Sequence, residues 1–147
     1  MQHSPYPCIW CDRNAHEMAD YYCSIFPDSK IISKNPIVVI FEINGAKFMA
    51  LSGGPEYKPS NAVSFVVNCD TQAEIDRYWD ALGSGGVYSK CGWLNDRYGV
   101  AWQIVPSILG ELMNDPERAP AVMYAFMQMG KFDIEALKQA GGYNTSV

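Results

Sequence analysis

The sequence predicts an α+β fold made of two copies of a strand–helix–strand–strand–strand unit (βαβββ), followed by C-terminal helices. Two observations support this fold: Cys11-Asp12 recurs as Cys69-Asp70, and each copy continues into an amphipathic helix pattern and then a hairpin pattern. An unrelated α+β domain with two similar helices is the alternative to duplication. With 147 residues and 48% hydrophobic content, the chain can bury one core. We therefore expect a single domain, 1–147, with module 1 at about 5–55, module 2 at about 61–106 and a helical tail at 107–141.

Each predicted helix has one apolar face, a start signal and a stop signal. The apolar positions follow the spacing i, i+3, i+4, i+7, at Ala15, Met18, Ala19 and Tyr22 in the first helix and at Ile75, Tyr78, Trp79 and Leu82 in the second. Asn14 and Thr71 each precede a glutamate by three residues, which is the spacing of a capping box. Pro27 and the glycines from Gly83 onward end the helices. Trp79 is therefore predicted to be a core residue.

Strands flank each predicted helix. They are Pro7–Cys11, Pro36–Ile43 and Ala46–Leu51 in module 1, and Val63–Cys69, Cys91–Asn95 and Val100–Val105 in module 2. Asn44-Gly45 is a strong signal for a hairpin turn, and Asp96–Gly99 predicts the matching turn of module 2. Counted from the turn glycines, Met49 matches Gln103 in the other module.

The tail has a helical pattern. Ser107–Asn114 predicts a short helix, and Asp115-Pro116 predicts the start of a second helix that runs to Met129. Asp133 predicts the cap of a final helix that ends at Gly141-Gly142. The second of these helices is apolar on most faces, so we expect it to be buried all round or to form a subunit contact.

Composition and charge indicate which partners and which cellular location to expect. The chain has 11 Lys+Arg against 16 Asp+Glu, a net charge of −5, and no basic stripe, which argues against nucleic acid and membrane surfaces as partners. The N-terminus lacks a signal-peptide pattern, and no apolar run approaches the roughly 20 residues that span a bilayer. The five cysteines are odd in number and scattered, unlike a disulfide framework. We therefore expect a cytoplasmic protein.

One group of residues in module 2 forms a motif. It consists of Cys91-Gly92-Trp93, Asp96, Gly99, Trp102-Gln103 and Pro106. This motif resembles the PhnB-like branch of the glyoxalase, or vicinal oxygen chelate, superfamily, a branch often labelled 3-demethylubiquinone-9 3-methyltransferase-like. The resemblance covers essentially the whole chain and continues through Phe48–Leu51, Gly53–Pro55, Gln72, Glu74, Asp76, Tyr78-Trp79 and Asp133-Ile134.

The resemblance implies a glyoxalase/bleomycin-resistance-type fold, in which each module curls into a half-barrel around a cavity, usually in a homodimer. The sequence departs from the family at the short link between Ser29 and Val38, where many relatives carry a longer loop that overhangs the pocket. The residues do not support a conventional S-adenosylmethionine site. No Gly-rich turn follows a first strand, and no acidic ribose ligand stands about 20 residues later.

Metal-dependent members of this superfamily hold a divalent ion through His, Glu or Gln on the first and last strands of each module. The corresponding positions here are Met49, Gln103, a position near Pro5, and Val63 or, within a register error, Ser64. Gln103 alone among these could ligate a divalent ion, and His3 would add a second ligand if the register were off by two. Because stable sites need three or more protein ligands, we expect no metal and no cofactor.

The candidate ligand-binding residues are those that this architecture places beside the cavity: Trp10, Met49, Cys91, Trp93 and Gln103. Side chains alternate along a strand, so only one of Trp102 and Gln103 faces the cavity. The ligand position that the resemblance implies selects Gln103 for the cavity and leaves Trp102 between the sheet and the helix. The candidate catalytic residues are Glu42, Cys91 and Gln103.

Other reactive side chains favour a structural interpretation. Asp96 fits an Asx-type turn, and His16 lies beside the apolar stripe of the first helix, where it is solvated. Cys8 and Cys11 are three residues apart on a strand. They therefore point to opposite faces ~10 Å apart, too far for a disulfide.

Three functions remain open. The first is a protein that binds a small, largely apolar or aromatic molecule in a metal-free pocket. The second is an enzyme, a lyase or isomerase, that acts on an enolisable or quinone-like substrate. The third is the 3-demethylubiquinone-9 3-methyltransferase activity of the family label. In each case we expect a homodimer with a small-molecule ligand.

Overall fold

The computed structural model describes residues 2–144, which divide after Pro59 into two compact units. The elements of the first unit are β1 (Cys8–Cys11), α1 (Ala15–Ile25), β2 (Ser29–Lys34), β3 (Val38–Ile43) and β4 (Ala46–Ser52). Those of the second are β5 (Ser64–Cys69), α2 (Gln72–Gly83), β6 (Val87–Tyr88), β7 (Trp93–Asn95), β8 (Ala101–Pro106), α3 (Leu109–Leu112), α4 (Ala119–Met127) and α5 (Ile134–Ala140). The predicted single domain, 1–147, stays a prediction.

Each unit contains one four-stranded mixed sheet, with strand order β1-β4-β3-β2 in sheet A and β5-β8-β7-β6 in sheet B. The first strand of each module pairs parallel to its last strand, and the other neighbours are antiparallel. This topology confirms the predicted α+β fold of two βαβββ modules. Within the described residues both sheets are open, and neither closes into a barrel.

Helix α1 covers one face of sheet A. Its fully buried Met18 and Tyr22 pack against the sheet, where the Tyr22 and Phe41 rings lie 6.1 Å apart. Asn14 is the N-cap residue, as predicted, but its side chain does not make the hydrogen bond of a capping box. Instead, Ser52 Oγ at the end of β4 accepts a hydrogen bond from the Ala15 N–H at 3.0 Å. A side chain that is distant in sequence therefore occupies the position of the local cap.

Helix α2 covers one face of sheet B in the same way. Trp79 is buried, as predicted, and its ring stacks on Tyr88 at 4.7 Å. The predicted cap at Thr71 is confirmed, since Thr71 Oγ1 accepts a hydrogen bond from the Glu74 N–H at 3.2 Å. Module 2 therefore keeps the local start signal that module 1 replaces.

The segment between Ser29 and Val38 is not a simple link. It contains β2, whose residues pair with β3 from Ser29 opposite Ile43 to Lys34 opposite Val39. The sequence signal was weak because this edge strand is largely polar and its register shifts between Ile31 and Ser33.

The tail differs from the prediction in several helix boundaries and in its burial, since α3 spans only Leu109–Leu112 and α4 ends at Met127. Helix α4 begins at Ala119, because Asp115 Oδ1 instead accepts a hydrogen bond from the Glu117 N–H at 2.9 Å in a local turn. The predicted cap of α5 is confirmed, since Asp133 accepts from the Ala136 N–H at 3.0 Å. Helix α4 is not buried all round: Tyr124 is 72% exposed. No helix within residues 2–144 is long and apolar enough to cross a membrane.

The tail is held on α2 by side chains. Gln72 Nε2 donates to the Phe132 carbonyl at 2.9 Å, and Gln72 Oε1 accepts from the Ile134 N–H at 2.9 Å. Lys131 forms an ion pair with Asp76 at 2.9 Å. Gln72 and Asp76 belong to the residues that carry the family resemblance, and their role here is to dock the tail.

Candidate functional site

The side of sheet A opposite α1 has no helix over it, and we call it the open face of sheet A. Side chains alternate along strands and paired residues share a face, so the register assigns this face directly. It consists of Cys8 and Trp10 on β1, Val38, Ile40 and Glu42 on β3, and Lys47, Met49 and Leu51 on β4. Three sequence candidates, Trp10, Met49 and Glu42, therefore lie on one surface.

The centre of this face is apolar. Met49 lies between Cys8 on β1 and Ile40 on β3, and the next row places Leu51 between Trp10 and Val38. All of these side chains are half-buried apart from Cys8, which is exposed. Two adjacent rows of apolar side chains thus form a continuous patch across three strands.

The Trp10 ring is fixed at one end of this patch. Its Nε1 donates a hydrogen bond to the Gly54 carbonyl at 2.9 Å, and the Tyr57 ring meets it edge-on at 4.9 Å. A Cβ atom on Gly53 would lie 2.2 Å from the ring, so glycine is required there by the close approach of the indole. The Gly53-Gly54 sequence of the motif therefore serves to seat Trp10.

The other end of the open face is charged. Lys30, Glu42 and Lys47 are direct cross-strand neighbours in one row. Glu42, whose side chain is 32% exposed, forms an ion pair with Lys30 at 3.9 Å. The Lys47 ammonium instead lies over the Tyr6 ring, 4.2 Å from its centroid. Glu42 is thus a half-buried carboxylate beside two lysines.

A cleft of about 700 Å³ opens beside this charged row. The segment just before β1 and the hairpin turn of β3 and β4 form its walls, with the lining residues His3, Ser4, Pro5, Tyr6, Pro7, Gly45, Ala46, Lys47 and Phe48. Neither this cleft nor its lysine was predicted from the sequence. The available signal was the two-residue Asn-Gly turn, which sets Glu42 opposite Lys47 and so predicts a charged row.

The open face of sheet B, opposite α2, carries the other candidates. Gln103 pairs with Trp93 on β7 and with Val66 on β5, so these side chains share the face. Gln103 Nε2 donates a hydrogen bond to Ser64 Oγ at 2.9 Å, and Asn95 Nδ2 donates to Asn61 Oδ1 at 2.6 Å. This face therefore combines amide and hydroxyl side chains with Trp93 and with valines such as Val66 and Val105.

The predicted position of Trp102 between the sheet and the helix is confirmed, and Gln103 lies on the opposite face. Trp102 is 3% exposed on the α2 side of sheet B, and its Nε1 donates to Asp96 Oδ2 at 2.9 Å. Asp96 Oδ1 accepts from the Tyr98 N–H at 2.8 Å and from the Val100 N–H at 3.1 Å. The structural interpretation of Asp96 as a turn residue is thereby confirmed, with an added role in the core.

Cys91 lies before β7 and not within it. Its backbone is left-handed, with φ of 58°, and its N–H donates to the Met129 carbonyl at 2.8 Å. Gly92 next to it donates to the Gly130 carbonyl at 2.8 Å. The tail therefore fixes the backbone of this part of the motif. Cys91 is half-buried and free.

The remaining reactive residues match the structural interpretation. Cys8 is exposed and Cys11 buried, as expected for opposite faces, and both are free thiols. Burial raises the pKa of the Cys11 thiol. His16 is exposed, and its Nε2 lies 2.8 Å from the Asn35 carbonyl oxygen.

The six candidates thus fall into two groups, one in each unit. Trp10, Glu42 and Met49 share the open face of sheet A, whereas Trp93 and Gln103 are neighbours on the open face of sheet B. Cys91 stands two residues before Trp93. Their roles in catalysis or ligand binding stay predictions.

Two mixed sheets, each with a parallel outer pair and a helix on one face, place the molecule in the glyoxalase class of paired βαβββ folds. Residues 3–105 match the family described as 3-demethylubiquinone-9 3-methyltransferase. The chain belongs to this family, the PhnB-like branch of the vicinal oxygen chelate superfamily. No curated protein matches it in sequence.

Solved structures agree with this assignment. A PhnB protein from Bacillus cereus is 26% identical, with a TM-score of 0.65, over 71% of this chain and 100% of that one. Protein PA1353 from Pseudomonas aeruginosa is 21% identical, with a TM-score of 0.59, over 71% and 98%. FosX from Listeria monocytogenes, a fosfomycin resistance protein solved with Mn(II) and sulfate, shares the fold at 11% identity, with a TM-score of 0.58, over 77% and 96%.

The residues of this chain do not fit a divalent metal of that kind. On the last strands, the matching positions carry the Met49 thioether and the Gln103 amide, and their first-strand neighbours are Cys8 and Val66. Within residues 2–144, no three His, Cys, Asp or Glu side chains group closely enough to hold an ion. One neutral amide oxygen is too weak a donor set for a stable site.

Proposed function

We propose that this protein binds a small, largely apolar or aromatic molecule on the open face of sheet A, without a metal ion. The observation that carries the proposal is the patch formed by Trp10, Met49, Leu51 and their β3 neighbours Val38 and Ile40. Ligand sites in proteins are mostly apolar surfaces with a few placed polar groups, and this face has that composition.

The fixed indole of Trp10 supports an aromatic ligand. A ring held by a hydrogen bond and by a glycine contact loses little freedom when a ligand stacks on it, and aromatic pairs add about 0.5–1.5 kcal/mol beyond area burial. Met49 is unbranched and adapts its shape to the molecule beside it. Glu42 offers a carboxylate next to the patch. It is the group through which an enzyme of the lyase or isomerase type would act.

The other candidate ligand-binding residues lie in module 2. Gln103 and Trp93 are a half-buried amide and an indole on the open face of sheet B, and each can bind polar or aromatic groups of a ligand on that sheet. Cys91 is the free thiol nearest to them in the sequence. The proposal needs none of the three as a nucleophile.

The proposal also includes a homodimer in the cytoplasm. Its support is the family resemblance together with exposed apolar side chains on α4, where Met123 is 44% and Met127 56% exposed. Such side chains are stabilised by contact with another surface. Light scattering at micromolar concentration should give a mass near twice 16.4 kDa, and a monomer would contradict this part.

The experiment that tests the binding proposal is calorimetric titration with 2-naphthalenemethanol, a neutral aromatic probe. Wild-type protein should bind it, and Leu51→Glu should abolish binding because a carboxylate enters the apolar patch. Val105→Glu is the matched control, since Val105 holds the position of Leu51 in module 2 and is also half-buried. Equal loss in both variants, or no binding by wild type, would contradict the proposal.

A second titration addresses the family description. S-adenosylmethionine should give no binding heat, whereas saturable binding would favour the methyltransferase over a binding protein. Native mass spectrometry of freshly purified protein would then identify a co-purified ligand by its mass.

A further inference from the structure

Lys47 has an unusual environment for a surface lysine. Its neighbour Glu42 forms its ion pair with Lys30, and the Lys47 ammonium contacts the face of the Tyr6 ring. Within residues 2–144, no carboxylate lies within ion-pair distance of Lys47 Nζ. The Tyr6 ring therefore positions the ammonium, and no carboxylate among the described residues is paired with it in place of an anionic ligand.

The cleft around Lys47 favours a negative group. It has a volume of about 700 Å³, within the range of small-molecule sites. Its lining includes the apolar Pro5 and Pro7, and its polar side chains are those of His3, Ser4, Tyr6 and Lys47. No acidic residue lines it among the described residues, although the whole chain carries a net charge of −5. Among the described residues, the lining therefore contains one lysine and no carboxylate.

The cleft adjoins the apolar patch. Lys47 and Met49 are two residues apart on β4, so their side chains share the open face about 7 Å apart. Along β4, Lys47 lies on the same face as Met49 and Leu51. On the neighbouring chain segment, Tyr6 precedes Cys8 and Trp10 by the same two-residue spacing, and its ring contacts Lys47. A molecule on Met49 can therefore reach the Lys47 ammonium with a group at its end.

We propose that the ligand of this protein is an aromatic or apolar monoanion, whose carboxylate binds the Lys47 ammonium in the cleft while its body lies on the Met49 and Trp10 rows. This inference rests on the proposed function and names its ligand class. Tyr6 acts as a positioning residue, because its ring holds the ammonium at the mouth of the patch.

The test compares 2-naphthoate with 2-naphthalenemethanol, two probes of nearly the same shape that differ in charge. Wild-type protein should bind 2-naphthoate about tenfold more tightly, the effect of one partly solvated charge-assisted hydrogen bond. Lys47→Met keeps the apolar stem and should lose this preference without weakening the alcohol. Lys47→Arg should keep the preference, and its strength should fall as salt is raised.

Lys34→Met is the control, because Lys34 is an exposed lysine of the same sheet outside the charged row. It should leave both affinities unchanged. Binding of the alcohol with no preference for 2-naphthoate would overturn this inference and leave the proposed function standing. An unchanged preference in Lys47→Met, checked for folding by circular dichroism, would also overturn it. Failure of both probes to bind wild type would overturn the two together.

Discussion

At matching register positions the open face of sheet A carries Met49 where that of sheet B carries Gln103. The same comparison sets Ile40 against Trp93. The charged pair of Glu42 and Lys47 likewise corresponds to Asn95 and Ala101. One face is apolar with a charged end, and the other mixes amide and hydroxyl side chains with one indole and several valines and carries no charged pair at these positions.

The opposite faces of the two sheets differ much less. Phe41 and Phe48 in sheet A correspond to Leu94 and Trp102 in sheet B, and both pairs are apolar side chains beneath a helix. Packing against α1 or α2 restricts these positions to apolar residues of suitable volume. The open faces lack that restriction, so their chemistry could diverge after duplication and can differ in function.

The largest expected effect is a loss of stability on substitution in the core of module 2. Trp102→Leu should lower the free energy of unfolding by about 3 kcal/mol, because it removes buried volume and leaves Asp96 Oδ2 without its indole donor. Phe48→Leu, the matching change in module 1, should lower it by only about 1 kcal/mol because Phe48 is half-buried. Urea denaturation measures both. A reversed order would contradict the difference in burial between Trp102 and Phe48.

Two glycines give the next effect. A Cβ atom at Gly53 would lie 2.2 Å from the Trp10 ring, and one at Gly83 would lie 2.1 Å from the Tyr88 ring. Each change to alanine should destabilise the fold by about 1–3 kcal/mol through overpacking. Only Gly53→Ala should also weaken binding of 2-naphthalenemethanol, because it displaces an open-face indole. Equal binding by both variants would show that Trp10 does not contact the ligand.

The buried cysteines predict a smaller, pH-dependent effect. Burial, followed by the nearby Glu74 and Asp70 carboxylates, raises the pKa of the Cys69 thiol from 9.0 to about 11. The native state therefore keeps this proton when the unfolded chain has lost it. The contribution of the Cys69 thiol to the free energy of unfolding is complete below pH 9. It falls by up to about 2 kcal/mol as the pH rises to 11. Chemical denaturation across this range should show a shallower fall for Cys69→Ala than for wild type. Identical slopes would mean that Cys69 does not titrate there.

The smallest expected effect is that of Gln103→Leu. The change removes the hydrogen bond to Ser64 but also removes an amide from a half-buried position, so stability should stay within about 1 kcal/mol of wild type. If Gln103 contributes to binding, affinity for a hydrogen-bonding ligand falls by about 1–2 kcal/mol. Unfolding of this variant at conditions where Trp102→Leu is folded would contradict the register described above.

Much of the fold could be predicted because its signals are local and repeated. The Thr71 cap, the Asn44-Gly45 turn and the alternation that separates Trp102 from Gln103 each follow from a few adjacent residues. The prediction failed where distant residues decide. Ser52 caps α1 from β4, and the polar edge strand β2 forms only by pairing with β3.

The candidate site was predicted in part for the same reason. The repeat matched Met49 with Gln103, strand alternation separated Gln103 from Trp102, and the family resemblance pointed to Trp10. The cleft at Lys47 was missed because one wall is the segment 3–7, which has no hydrophobic period and no counterpart in the repeat. Its position depends on parallel pairing beside β4, which sequence spacing does not fix.

The most direct test of the central claim is a map of where an apolar aromatic molecule binds. Titration of 15N-labelled protein with 2-naphthalenemethanol can be followed by two-dimensional NMR. The Trp10 indole N–H and the amides of Ile40 and Met49 should show the largest shifts, while Val66 and Asn68 on sheet B should show small ones. Shifts concentrated on sheet B or on α4, or no saturable shifts at all, would contradict the assignment of the open face of sheet A as the ligand site.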